Sequence, residues 1–108
     1  MNLKTKFMRI FVFFDLPNVT ADETRKYSKF MRLILKEGYI REQYSIYSKL
    51  VINSKTADDE KIYINKICPS NGLVQILIIT EKQYASIEYV AGKKQTKFIQ
   101  SIDKIIYL

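Results

Sequence analysis

Phe7-Met8-Arg9-Ile10-Phe11-Val12-Phe13-Phe14-Asp15-Leu16-Pro17 is the stretch on which the fold turns. A run with four phenylalanines reads as a central strand buried on both faces. Asp15 stands where that run leaves the core. Its carboxylate is either a functional group held on a rigid element or a turn residue closing an Asx-turn before Pro17.

Working outward, Thr20-Ala21-Asp22-Glu23 has the form of a capping box, with Thr20 at the N-cap and Glu23 three residues on. A helix is predicted to run to about residue 37, with Gly38 as its stop. Tyr27, Phe30, Met31, Ile34 and Leu35 follow the spacing of a face packed on a sheet. Arg25, Lys29, Arg32 and Lys36 fall within roughly 60° of arc on the opposite side, at about 100° per residue. They make a basic ridge, which is a nucleic-acid contact or an ordinary solvated face.

Residues 39–52 are rich in aromatic and β-branched side chains and predict one long strand. Alternation along it sets Ile40, Tyr44, Ile46 and Leu50 on one face. Arg41, Gln43, Ser45, Tyr47 and Lys49 fall on the other, a polar face suited to phosphate contacts or a subunit interface. Tyr39, Tyr44 and Tyr47 read as packing residues before they read as a base-stacking platform. A more polar helix is predicted over residues 57–67, closed by Cys68-Pro69-Ser70-Asn71-Gly72. Residues 73–80 predict a second apolar strand, residues 81–84 a helical turn, and residues 87–90 a short edge strand. The order predicts an α+β domain: a ferredoxin-like βαββαβ sandwich over residues 1–92, with a short extra strand near its C-terminal end. With both helices on one sheet face, the other is left partly open and favours a homodimer. Residues 93–108 then form a tail that docks on the domain or on a partner.

The 108 residues suffice for one domain with a real core. Eighteen Lys and Arg against eleven Asp and Glu give a net charge of +7, which points to a polyanionic partner. The chain has no histidine, so Ser-His-Asp triads and His-ligated zinc are excluded. Hydrolysis would need carboxylates with a hard cation such as Mg2+. With three glycines there is no Gly-rich phosphate loop. No apolar stretch is long enough to span a membrane, no cleavage site follows the basic start, and Cys68 is alone. A cytoplasmic protein without a membrane partner is expected.

Four stretches together resemble one family: residues 8–17, residues 25–30, Gln43-Tyr44-Ser45-Ile46-Tyr47-Ser48-Lys49-Leu50, and residues 72–84. The sequence is similar to the small CRISPR-associated adaptation proteins, second of the universal spacer-acquisition pair, of the type II kind. The resemblance implies a ferredoxin-like homodimer in which Asp15 is the metal-associated acid, contributed by both subunits to one Mg2+ or other divalent site. Two carboxylates so placed repel until a cation or proton arrives, so binding there is expected to depend on pH. The family is described as metal-dependent endonucleases on RNA or DNA, which makes Asp15 the catalytic candidate. The family's other role is architectural: the dimer bridges copies of a CRISPR-associated integrase and supports the double-stranded DNA to be inserted.

Arg25, Lys29, Arg32, Lys36, Arg41 and Lys49 are the candidates for backbone contacts in that role. The leading expectation is therefore a DNA-binding, integrase-bridging homodimer of spacer acquisition. The alternatives are a free-standing metal-dependent nuclease, and a ferredoxin-like interaction module that binds no nucleic acid.

Overall fold

The computed structural model describes residues 7–92. Four strands form one antiparallel sheet in the order β2-β3-β1-β4. They are β1 (Met8–Asp15), β2 (Ile40–Gln43), β3 (Ile46–Val51) and β4 (Leu73–Thr80). Helices α1 (Ala21–Lys36) and α2 (Ser54–Ile67) complete two interleaved βαβ units, and a short α3 (Glu81–Ala85) follows β4. This is the ferredoxin-like α+β arrangement expected from the sequence.

β1 is central because it can be buried on both sides. Residues directly opposite across an antiparallel pair share a face. On the helix side Ile10, Val12 and Phe14 are matched by Lys49 and Tyr47 of β3 and by Ile78, Ile76 and Val74 of β4. Phe14 packs edge-on against Phe30 of α1, ring centroids 5.5 Å apart, and stacks on Tyr47 at 5.8 Å. Ile34 and Ile64 close the same core from α1 and α2. The predicted capping box starts α1, with the Glu23 amide donating to Thr20 Oγ1 at 3.1 Å and the Thr20 amide to Glu23 Oε1 at 3.0 Å. Hydrogen bonds from the Thr20 amide, first, and the Val19 amide hold the Glu23 carboxyl below its ordinary range. Gly38 follows the helix at φ +102°, a left-handed position suited to glycine.

Four expectations need correction. The long strand over residues 39–52 is a hairpin, turned at Tyr44-Ser45 and irregular between Arg41 and Gln43. No non-glycine residue here takes a positive φ, so the two-residue loop is not of the primed type, and a bulge absorbs the mismatch. Along β3 the predicted faces hold but their roles are exchanged: Tyr47 and Lys49 turn to the helix side, with Tyr47 buried, while Ile46 and Leu50 share the other face, with Leu50 exposed. α2 starts three residues early because Asn53 and Thr56 cap it reciprocally. Residues 87–90 form no strand, since no edge of the described sheet pairs with them and a strand needs a partner. Leu35, placed on the packed face of α1, is also half exposed. The expected tail at residues 93–108 lies outside the described residues.

Candidate nucleic-acid and metal site

The sheet face away from α1 and α2 carries Arg9, Phe11, Phe13 and Asp15 of β1, by the alternation of the strand. Ile46, Ser48 and Leu50 lie beside them on β3, and Leu73, Gln75, Leu77 and Ile79 on β4. α3 covers one end of this face. Tyr84 packs on Phe11 at 5.7 Å and lies 4.0 Å beneath the Arg9 guanidinium. Arg9 donates from Nε and Nη2 to both oxygens of Glu81, each at 2.9 Å, and from Nη1 to Ser48 Oγ at 3.2 Å. Ser48 and Tyr84 in turn donate to Glu42 Oε2, both at 2.6 Å. Burial first, then the Glu42 bond, pushes the Tyr84 phenol well above its ordinary value, so it stays a donor. The sequence does not mark Arg9 as a site residue, because its partners lie 39 and 72 residues away, beyond any local pattern.

The rest of the face is apolar and open. Leu50, Leu73 and Leu77 are each about half exposed, at 45, 53 and 50 %. Asp15 is exposed at the end of β1, opposite Leu73. What holds that strand end is Gly72. A Cβ there would stand 2.9 Å from the Asp15 carbonyl oxygen and 2.7 Å from Leu16 Cδ2. The residue before it, Asn71, has a buried Oδ1 with no hydrogen-bond partner among the described residues.

A hard cation such as Mg2+ takes oxygen ligands and is commonly held by one or two carboxylates with waters. Among the described residues no three His, Cys, Asp or Glu side chains group together. Asp15 therefore fits such an ion as half of a site, completed only by an acid from elsewhere.

The cations predicted to meet a phosphate backbone divide into four sets. Lys29, Arg32 and Lys36 are exposed on α1 and make no ion pair among the described residues. Arg25, on the same ridge, is paired with Asp22, which also holds Lys26 at 3.2 Å. The Lys26 bond, first, and Arg25 hold the Asp22 carboxyl below its ordinary range. Arg41 is exposed on β2, its guanidinium 5.5 Å from the Tyr44 ring.

Lys49 differs from the others. It faces the helix side opposite Ile10, not the polar face expected, and its ammonium lies 3.0 Å from Glu60 and 3.6 Å from Glu37. Burial first, and the nearby Glu60 carboxyl second, push the Glu37 carboxyl above its ordinary value. The tyrosine group also divides: Tyr39 and Tyr47 are buried, whereas Tyr44 is 68 % exposed.

With this geometry in place, residues 8–87 match the family described as CRISPR associated protein Cas2. A protein of Treponema denticola named CRISPR-associated endoribonuclease Cas2 is 41 % identical over 101 residues, covering 94 % of this chain and all of the relative. A protein of the same name from Ligilactobacillus salivarius is 40 % identical over 101 residues, again 94 % of this chain and all of the relative. One from Streptococcus mutans is 35 % identical, covering 94 % of this chain and 93 % of the relative.

Proposed function

Because the chain belongs to the family of CRISPR associated protein Cas2, we propose that it acts in spacer acquisition as a basic homodimer that binds duplex DNA and bridges subunits of an integrase. The observation that carries this reading is the row Lys29, Arg32 and Lys36, exposed on one helix with no acid to neutralise it among the described residues. Such a row meets phosphates without reading bases, as an architectural subunit requires. The half-exposed leucines of the open sheet face support the homodimer, because a second copy burying Leu50, Leu73 and Leu77 removes apolar surface from water.

A second reading, metal-dependent cleavage of RNA or DNA, is favoured by the position of Asp15. It shares the open face, so a two-fold axis through that face would bring the Asp15 of a second copy toward it. The relatives named endoribonuclease agree with that reading. The two Asp15 carboxylates would hold the cation. A bound divalent metal supplies Lewis acidity at a phosphate and a more acidic water.

The test is anisotropy of a labelled blunt duplex over a range of salt, with the Lys29→Glu, Arg32→Glu, Lys36→Glu triple variant beside wild type. Each lost phosphate contact removes about 0.9 from the log–log salt slope, so the triple variant is expected to bind with a slope shallower by roughly 2 to 3. Equal affinity and slope would leave the row a solvated face and favour an interaction module that binds no nucleic acid.

A further inference from the structure

We infer that Tyr44 is a stacking platform for an unpaired nucleobase, with Arg41 neutralising a neighbouring phosphate, at the end of the sheet that carries Asp15. This rests on the nucleic-acid reading above and adds to it a preference for single-stranded segments.

Tyr44 is the most exposed aromatic among the described residues, in a fold that buries its neighbours Tyr39 and Tyr47. An aromatic ring of that size left in water forfeits the burial that placed the other two. It is not loose, because it occupies the two-residue turn between β2 and β3, and that turn is tied to β1. The Phe14 amide donates to the Ser45 carbonyl at 3.1 Å, so one hydrogen bond separates the turn from the residue that precedes Asp15. Arg41 lies over the Tyr44 ring with no ion pair among the described residues. Against it from α1 stands Tyr27, whose phenol is pushed above its ordinary value by burial first and a hydrogen bond with Tyr44 second. No carboxylate forms an ion pair or hydrogen bond with this group among the described residues to repel a phosphate.

An exposed ring with a free guanidinium beside it has the two parts that single-strand binding uses: a π-face for any base, and a cation for the backbone. A paired base inside a duplex offers no free face. The platform therefore selects unpaired nucleotides, such as a frayed end or an overhang lying across the end of β1.

The experiment uses the full chain, with a labelled oligo-dT single strand and a labelled blunt duplex of equal length, both at low salt. Tyr44→Ala is expected to weaken single-strand binding by on the order of tenfold while duplex binding is unchanged. Tyr44→Phe should keep the wild-type preference, and Tyr44→Leu, which keeps an apolar side chain without a π-face, should lose it. Equal loss on both probes, or no loss on either, overturns the platform, while the nucleic-acid reading stands as long as wild type binds the duplex. If wild type binds neither probe, the nucleic-acid reading falls and the platform with it.

Discussion

Replacing Gly72 with alanine tests how the loop before β4 holds the strand that carries Asp15. The added Cβ would stand 2.7 Å from Leu16 Cδ2, 2.9 Å from the Asp15 carbonyl oxygen and 3.2 Å from the Leu16 Cα. Two of those three atoms are backbone, so the strand end itself must move. Overpacking of this kind costs about 1–3 kcal/mol. Stiffening the unfolded chain returns about 0.4–1 kcal/mol, and Gly72 lacks the positive φ that would add strain of its own. The net expectation is a loss of about 1–2 kcal/mol.

At ~4–8 °C per kcal/mol for a domain of this size, the Tm falls by roughly 5–15 °C. Urea unfolding at fixed protein concentration, followed by circular dichroism, should show a lower midpoint with an unchanged slope. Gly92→Ala is the comparison, because nothing lies within 4 Å of its Cβ and only its φ of +86° opposes the change. A Gly72→Ala midpoint equal to or above wild type would refute the packing argument and, with it, the role of Gly72 in holding Asp15.

Three more outcomes follow from the packing and the charges. Glu81→Gln leaves the buried Arg9 without its carboxylate partner; because Glu81 is 36 % exposed, the loss should reach only about 1–3 kcal/mol by urea unfolding, below that of a fully buried pair. Ile34→Ala, at a site with no exposure, should lose about 2–5 kcal/mol by the same assay, and less than 1 would mean that α1 does not pack as described. The Glu37 carboxyl is raised, so its contribution is complete below the unfolded carboxyl pKa and is lost as pH rises through the folded value. Glu37→Gln should therefore gain stability relative to wild type as pH is raised from mildly acidic to neutral; a difference that stays flat or shrinks would contradict that sign.

Much of the fold is legible in the sequence because its strongest elements are periodic or uniform. The apolar runs of β1 and β4 and the cap of α1 are local signals that stand where they were expected, and the packed face of α1 does so except at Leu35. The β2–β3 hairpin is not legible. Tyr44-Ser45 lacks the glycine or asparagine that announces a turn, and the bulge at Arg41–Gln43 breaks the period that alternation relies on. The inward turn of Lys49 is not legible either, because the acids that hold it, Glu37 and Glu60, lie outside the hairpin.

The segment at residues 87–90 carries the composition of a strand, but composition cannot supply the partner. At the site, the sequence marks Asp15 and the α1 cations as candidates. The pairing of Arg25 with Asp22, three residues away, was within reach of helical spacing. The Arg9 network was not, because four elements, β1, β2, β3 and α3, converge to build it.

The central claim is that the task of this protein rests on its basic surface and not on Asp15 chemistry. Integration of a labelled duplex by the purified integrase, with wild type, Asp15→Ala and the Lys29, Arg32, Lys36 triple variant compared in parallel, tests it most directly. The account predicts wild-type integration with Asp15→Ala and its loss with the triple variant. Loss of integration with Asp15→Ala, in a dimer that sizes as wild type, would contradict it.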